Sequence, residues 1–299
     1  MKLFFVVNPI SGGVDKEPFL KEAQALCKKY GITYHIFKTT GRDDETALVK
    51  SIKDFNPDKV ASVGGDGTTL FTAVTLKDLS FPIGIIPLGS ANGMAEELFV
   101  NPDPIEALKD IIMSERIGDL DLICVNDKHY TMHIGDVGVN ASIVEAYEKD
   151  PNRGMATYAR YFIEELTKLT PFDIALTING ETFQHKGVMV AICNSRKYGT
   201  GVPLNVLSNP MDGLFEIVII ENIDAKSLIS AGLAKFDERF YQSHNSHVYQ
   251  AQELEINFKE ARLLQLDGEV IGKFDNIHVQ MLVGAVKYIT NTNNSYLTI

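Results

Sequence analysis

The sequence predicts a two-domain α/β protein, with a doubly wound parallel-sheet domain followed by an antiparallel β-sandwich domain. In the first third of the chain, short apolar runs alternate with segments of helical periodicity, a pattern typical of parallel strands joined by crossover helices. After about residue 115, strand-like runs separated by turn signals replace that alternation. We expect the α/β domain to comprise residues 1–122 and 283–299, and the sandwich to comprise residues 123–282.

The first domain is predicted from four apolar runs and the helical segments between them. The apolar runs predict strands at 3–7, 33–39, 59–63 and 82–88. Helices are predicted at 18–31, at 43–55 and from about Thr68 onward. Because ligands of doubly wound sheets bind beyond the carboxyl ends of the strands, the loops that follow these strands are the candidate site.

The second domain is predicted from short strands and two hairpin turn signals. The turn signals are Asn126-Asp127 and Asn179-Gly180. Strand-like runs occupy 119–139, 173–194, 215–220, 253–258, 261–271 and 276–282. Two helices, at 155–169 and 225–236, are predicted to interrupt these strands.

Charge and cysteine content exclude some classes of function. The 299 residues carry 28 Lys and Arg against 39 Asp and Glu, a net charge of −11, which repels nucleic acid and anionic headgroups. We therefore predict no nucleic-acid partner. Cys27, Cys124 and Cys193 lack metal-ligand spacing and are expected to be buried thiols in a reducing compartment. Only five consecutive apolar residues stand near the N-terminus, too few for a signal peptide, and we expect a cytoplasmic protein.

Three glycine-containing loops follow predicted parallel strands. They are NPISGG at 8–13, GGDGTT at 64–69 and PLGSANG at 87–93. Glycine lets backbone N–H groups approach an anion closely, and a helix start adds partial positive charge. Together the three loops predict a phosphate-binding surface, although each one alone could be an ordinary turn.

Asp66 places a carboxylate inside the second of these loops. An anion-binding loop gains from a carboxylate only if a cation lies between it and the phosphates, so Asp66 predicts a hydrated Mg²⁺. The alternative is an Asp that caps the following helix. The sequence contains neither GxxxxGK[ST] nor the spacing of GxGxxG, which argues against a P-loop ATPase and a dinucleotide oxidoreductase.

A second pair of carboxylates, Asp267 and Glu269, lies in LQLDGEV. On a strand the two side chains would point to the same face, and one could accept a proton from a hydroxyl nucleophile. Asp-Gly is also a strong hairpin signal, and in a tight turn the two side chains need not share a face.

The ordered set NPISGG, GGDGT, PLGSANGMAEEL, NSRKYGTGVPLN…NPMDGLFEI and LQLDGE resembles the diacylglycerol kinase catalytic-domain family, which includes bacterial soluble lipid kinases and sphingosine kinases. GGDGT alone is shared with NAD kinases, whereas PLGSxN and the late DGE favour the lipid branch. The resemblance covers nearly the whole chain. It implies an NAD kinase-like nucleotide-binding domain, a β-sandwich domain for the lipid substrate, and a ligand cleft between them. The implied reaction transfers the γ-phosphate of ATP to a hydroxyl of a diacylglycerol-like or sphingoid-like lipid.

The resemblance also implies a role for individual residues. Asp66 would organise Mg²⁺, Glu269 would be the general base, and Asp267 would lie near the metal or nucleotide. Asp212 matches a residue that binds a structural magnesium in some bacterial members. The implied nucleotide-binding residues are Asn8, Ser11, Gly12, Thr39, Gly64, Gly65, Gly67, Thr68, Gly89, Ser90 and Asn92.

Two positions depart from the family pattern. Gly93 stands where diacylglycerol kinases usually have Asp, although sphingosine kinases also lack an acidic residue there. Asn209 stands where a second acidic ligand would assist Asp212. Gly93 makes plain diacylglycerol a less favoured substrate, and the two departures together leave open a nucleotide-binding protein without kinase activity. An NAD kinase would need an Asn-Glu or Asn-Asp pair after the third loop, and no such pair follows PLGSANG.

Three further residues receive a structural interpretation from the sequence. His133 is predicted to be a core or interface histidine, because it lies between Met132 and Ile134 on a predicted strand. His244 and His247 have no third ligand nearby in the sequence, and they are predicted to be surface residues. Transient contact with a membrane surface and a homodimer are both compatible with the sequence, which determines neither.

Overall fold

The computed structural model describes residues 1–138, 141, 143, 170–197, 204–222 and 246–297. The predicted helices at 155–169 and 225–236 lie outside the described residues, as does His244. The chain divides into two compact units, one formed by residues 1–122 with 283–299 and the other by residues 123–282.

The first unit is a parallel sheet with helices, as the alternation of apolar runs and helical segments predicts. Its strands are β1 (Lys2–Val7), β2 (Thr33–Lys38), β3 (Lys59–Gly64) and β4 (Ile83–Pro87), followed by the end of the last strand of the chain, β14 (Glu269–Ile289). They lie in the order β2, β1, β3, β4, β14, and every pairing is parallel. Its helices are α1 (Glu17–Lys29), α2 (Asp44–Phe55), α3 (Asp66–Leu76), α4 (Gly93–Glu97) and α5 (Pro104–Met113).

Local sequence accounts for these helices. In α1, Phe19, Leu20, Ala23 and Cys27 recur at helical spacing and are buried against the sheet. Helix α5 begins after Asp103, whose carboxylate accepts hydrogen bonds from the backbone N–H groups of Ile105 and Glu106, both at 2.9 Å. Helices α1 and α5 therefore form an apolar core with one face of the sheet, and the strand ends present their loops beyond the sheet.

The second unit consists of antiparallel strands. The strands are β5 (Ile117–Val125, which begins in the first unit), β6 (His129–Thr131), β7 (Ile134–Gly138), β8 (Phe172–Ile178), β9 (Glu181–Gly187), β10 (Met189–Cys193), β11 (Phe215–Ile220), β12 (Ser246–Ala251) and β13 (Glu253–Leu266), with the first part of β14. The first part of β13 pairs with β8, and its last part pairs with β7 beyond an irregularity between Asn257 and Arg262. Side chains from β8, β10, β11, β13 and β14 meet in one apolar core, which gives a sandwich.

Both predicted hairpin turns are present, because their residues tolerate left-handed backbone. Asn126 and Asp127 have φ of 52° and 55°, and Asn179 and Gly180 have φ of 51° and 83°. All three cysteines are buried and free, and His133 is buried.

Several strand boundaries differ from the sequence-based prediction. The run 119–139 forms three strands rather than two, because β7 leaves the β5–β6 hairpin to pair with β10 and β13. The runs 253–258 and 261–271 do not form separate strands: β13 continues to Leu266, and a turn at Asp267 and Gly268 precedes β14. None of the helices that the structure describes has the length and apolar character of a membrane span.

Candidate active site

A buried lysine, Lys16, holds the loop after β1 in place. The Nζ of Lys16 donates hydrogen bonds to the carbonyl oxygens of Ser11 and Val14 at 2.6 and 2.8 Å. Burial lowers the pKa of Lys16, while neighbouring Asp15 acts in the opposite direction. The hydroxyl of Ser11 in turn donates to the carbonyl of Asn8 at 3.3 Å, which closes the loop on itself.

Three predicted glycines bring the three loops into backbone contact. A Cβ on Gly89 would lie 2.2 Å from the Cα of Gly65, and a Cβ on Gly12 would lie 2.8 Å from the carbonyl carbon of Gly89. Neither approach is compatible with a side chain. These glycines therefore permit close packing between loops, a requirement that differs from the anion approach expected from the sequence. Gly67, by contrast, is exposed, and a Cβ there would meet no atom within 4 Å.

Asp66 forms part of the contact between the second and third loops. It is the first residue of α3, and its two carboxylate oxygens accept hydrogen bonds from the backbone N–H groups of Gly93 and Met94, both at 2.9 Å. The side chain thus caps α4, whereas the capping alternative considered from sequence concerned α3. Gly93 makes this contact through its backbone, so the contact does not depend on an acidic side chain at position 93.

Asn92 closes the third loop. Its Oδ1 accepts from the N–H of Gly89 at 2.8 Å, and its Nδ2 donates to the carbonyl of the same residue at 3.1 Å. Asn92 has a φ of 56°, a left-handed conformation that Asn tolerates better than most residues. Ser90, inside the loop, is exposed.

A cavity of about 350 Å³ lies beside the first two loops. It is lined by four predicted nucleotide-binding residues, Asn8, Thr39, Gly67 and Thr68, and by Pro9, Ile10, Thr40, Gly41, Asp44 and Phe71. Its volume falls within the usual range for small-molecule sites, about 300–1,000 Å³. Thr68 is buried, and its Oγ1 has no hydrogen-bond partner among the described residues. Gly64 lies four positions before Thr68 in the sequence. A Cβ on Gly64 would lie 2.3 Å from the Oγ1 of Thr68.

Sequence reasoning did not single out the Thr40–Asp44 part of this cavity. The carboxylate of Asp44 accepts hydrogen bonds from the N–H groups of Thr40 and Gly41, at 2.9 and 2.7 Å, and from the Thr40 hydroxyl. Burial opposes ionisation, yet these donors lower the pKa of Asp44. The position of this segment in the sheet could have indicated its role. Because β2 is parallel to β1, the loop after β2 lies at the same edge of the sheet as the loop after β1.

In the second unit, Asp267 occupies a hairpin turn rather than a strand. Its φ is 49° and that of Gly268 is 86°. The Asp267 carboxylate accepts from the hydroxyl of Thr131 at 2.5 Å and from the N–H of Ile134 at 3.1 Å. The turn is thereby tied to the connection between β6 and β7. Glu269 begins β14 and is exposed.

Buried polar residues support this turn from within the second unit. The Oε1 of Gln265 accepts from the N–H of Gly268 at 2.8 Å, and its Nε2 donates to Asp136. Asp136 also accepts from the N–H of Ala141 at 2.9 Å. In the sequence, the acidic residue Asp136 within the apolar strand IGDVG could have indicated a buried polar contact.

Asp212 lies in an exposed turn of the second unit. Its Oδ1 accepts from the N–H of Leu214 at 3.0 Å, and Asn209 makes a similar contact with Met211 at 3.0 Å. Both side chains therefore satisfy backbone donors of the turn. Nearby Glu216 is buried and accepts from Ser208 and Gln250, and burial raises its pKa.

Comparison with known proteins identifies both halves of the chain. Residues 2–125 match the family model described as the diacylglycerol kinase catalytic domain. Residues 135–290 match the model of the YegS C-terminal NAD kinase beta sandwich-like domain.

Individual relatives agree with these matches. A protein of Klebsiella pneumoniae named "Probable lipid kinase YegS-like" is 28% identical over 216 residues, covering 70% of this chain and 72% of its own. The "Probable lipid kinase YegS" of Salmonella typhimurium is 26% identical over 290 residues, covering 91% of each. A crystal structure of a diacylglycerol kinase from Bacillus anthracis has the same fold, with a TM-score of 0.72 at 19% identity over 98% of each chain. The chain therefore belongs to the diacylglycerol kinase catalytic-domain family of lipid kinases.

Proposed function

We propose that the protein transfers the γ-phosphate of ATP to a hydroxyl group of a lipid, either diacylglycerol-like or sphingoid-like. The observation that carries this proposal is the backbone contact of the Gly12, Gly65 and Gly89 loops beside a cavity of about 350 Å³. Loops that end parallel strands direct N–H groups beyond the sheet edge, where phosphate oxygens can accept hydrogen bonds. The lipid acceptor is supported by the family and by the names of the relatives.

The first unit would bind and orient the nucleotide. We assign the adenosine and ribose to the cavity lined by Asn8, Thr39 and Phe71, and the phosphates to the exposed loop position Gly67. Thr68 adds a buried hydroxyl whose oxygen has no partner among the described residues. Phosphoryl transfer depends mainly on positioning and electrostatic stabilisation, and loops in backbone contact with one another would supply the positioning.

Asp66 fits a Mg²⁺ ion by the chemistry of its donors. Two backbone N–H groups occupy one lone pair on each carboxylate oxygen, and each oxygen has a second lone pair. Magnesium prefers oxygen ligands from one or two carboxylates, phosphates and water. When bound, Mg²⁺ would neutralise charge on the transferring phosphoryl group. Asp212 would hold a separate structural ion.

In the second unit, we assign proton acceptance to Glu269. The residue is exposed at the start of β14, so a lipid hydroxyl can approach its carboxylate. Asp267 is a positioning residue in this scheme, because its contacts with Thr131 and Ile134 fix the turn that precedes Glu269. A positioned general base contributes a factor of about 10² to 10⁴ to the rate.

The test is transfer of label from γ-labelled ATP with Mg²⁺, followed by separation of organic and aqueous phases. The acceptors are diacylglycerol, monoacylglycerol, sphingoid bases, phosphatidylglycerol and NAD. We expect label in lipid, reduced at least about 100-fold by Asp66→Asn because the metal and the cap on α4 are both weakened. Asp78→Asn, at an exposed carboxylate of the same unit, is the matched control and should retain activity.

Thermal unfolding of the Asp66→Asn protein separates lost chemistry from lost structure. Label in NAD alone would exclude a lipid kinase. Nucleotide binding with no transfer to any acceptor would instead support a binding protein without kinase activity.

A further inference from the structure

Three side chains that are distant in sequence converge on the second unit. His185 lies on β9, Glu221 directly follows β11, and His247 lies on β12. Strands β11 and β12 are antiparallel neighbours, with Ile219 opposite His247. The end of β9 lies beside β11, since the N–H of Val188 donates to the carbonyl of Ile220 at 2.8 Å. The fold thus gathers residues separated by as many as 62 positions, from 185 to 247.

The geometry of this cluster matches a metal site. One potential ligand atom from each of the three residues lies within 4.8 Å of the other two. The rings of His185 and His247 have centroids 4.5 Å apart, and Nε2 of His247 lies 2.9 Å from Oε1 of Glu221. Ligand atoms around tetrahedral zinc are separated by about 3.3 Å when the bonds are about 2.0–2.1 Å long. Side-chain adjustments on the order of 1 Å would therefore complete the site.

The residue types select the class of metal. Two imidazoles and one carboxylate suit zinc and its first-row neighbours, whereas Mg²⁺ and Ca²⁺ prefer sites made only of oxygen ligands. The hydroxyl of Tyr249 lies 2.7 Å from Nε2 of His185. Outer hydrogen bonds of this kind orient ligand histidines in metalloproteins. We propose that His185, Glu221 and His247 bind a divalent transition-metal ion of the zinc class. The bound ion would link β9, the end of β11 and β12.

A second histidine of the same unit provides the matched control. His278 lies 2.9 Å from Glu253 and 3.7 Å from Asp127, so it too has carboxylates close to its ring. It has carboxylates around it but does not belong to the cluster that contains two histidines. If any surface histidine near a carboxylate bound the metal, His278→Ala would weaken binding as much as His247→Ala.

The experiment titrates the full-length, metal-free protein with Co²⁺ and follows visible d–d absorption, with Zn²⁺ added afterward as competitor. We expect one equivalent that zinc displaces, in addition to any cobalt on the oxygen ligands assigned to Mg²⁺. His185→Ala and His247→Ala should each lower the affinity at least about tenfold, and Glu221→Gln should do so without a change in size. His278→Ala should leave the affinity unchanged.

Stability provides a second readout that does not depend on kinase activity. Zinc at about 100 times the wild-type dissociation constant should raise the unfolding midpoint by roughly 5 °C in the wild type and the His278→Ala protein, and by no more than about half as much in the His247→Ala protein. Absence of stoichiometric cobalt binding to the wild type would overturn the proposal. So would an affinity that is unchanged in all three cluster variants while their circular dichroism is native.

Discussion

At the scale of single residues, the glycines of the three loops perform different tasks. Gly89 lies against the backbone of Gly65, whereas Gly67 has open space around its Cα. The sequences GGDGT and PLGSANG do not distinguish these tasks, because both loops come directly after a predicted parallel strand. Only the distance between loops shows which one cannot carry a Cβ.

This difference predicts contrasting effects of two alanine substitutions. Gly89→Ala should lower the free energy of unfolding by about 1–3 kcal/mol and abolish nucleotide binding, because its Cβ would displace the Gly65 loop. Gly67→Ala should leave stability within about 0.5 kcal/mol of the wild type. Urea denaturation and titration with an ATP analogue measure both effects. Equal losses in the two variants would contradict the role given to backbone contact.

Asp44 gives a prediction about pH. Its pKa is lowered in the folded state, so its stabilising contribution is present above the unfolded value of about 3.9 and is lost as the pH falls through the lower folded value. Asp44→Asn should therefore lower stability by about 1 kcal/mol at neutral pH, with a difference that shrinks below about pH 4.

Thermal unfolding of the Asp44→Asn and wild-type proteins between about pH 3 and pH 7 tests this expectation. Asp43→Asn, at the neighbouring exposed carboxylate, serves as control, since the Asp43 side chain makes no cap to α2. A difference between Asp44→Asn and wild type that stays constant across this range would rule out the ionised form as its cause.

At the scale of elements, two hairpin turns have nearly the same backbone conformation but differ in the proposed functional residues that they position. Gly180 and Gly268 have φ of 83° and 86°, and a Cβ on either would meet no atom within 4 Å. The Asn179-Gly180 turn joins β8 to β9, whereas the Asp267-Gly268 turn positions Asp267 and precedes Glu269. Backbone strain on substitution should therefore be the same, and the effect on activity should differ.

We expect Gly180→Ala and Gly268→Ala each to cost about 1 kcal/mol of stability, since alanine disfavours left-handed backbone. Only Gly268→Ala should reduce kcat, by at least about tenfold, because it shifts the proposed general base. Lipid phosphorylation rates and urea denaturation of both variants make the comparison. A loss of activity common to both would remove the special role of the second turn.

At the scale of the whole molecule, the chain returns to its first unit at the end. Residues 283–299 belong with residues 1–122, and Tyr288 on β14 pairs with Ile83 on β4. Ile289 is 4% exposed in the core of that unit, whereas Val283, on the same strand, is 61% exposed. The first unit is therefore completed only after the second has been synthesised.

This arrangement predicts that Ile289→Ala lowers the stability of the first unit by about 2–5 kcal/mol. Val283→Ala should change it by less than about 0.5 kcal/mol. Hydrogen exchange of β1 and β3 amides reports on the first unit separately from the second. Unchanged protection in the Ile289→Ala protein would show that the last strand does not stabilise this sheet.

The sequence by itself determined the fold class and the loops of the candidate site. Periodicity and turn residues are local properties, and they are sufficient for the alternation of β1 to α3 and for the Asn179-Gly180 hairpin. The GGDGT loop, the third loop and the late DGE likewise predicted the family to which the chain belongs.

Only the tertiary structure decided which groups meet. The cap that Asp66 provides to α4 joins residues 27 and 28 positions apart, and the contact of Thr131 with Asp267 joins residues 136 positions apart. The cluster of His185, Glu221 and His247 depends on the order of three strands. Sequence spacing does not fix such distances, because they follow from strand order and register, which packing of the whole chain selects.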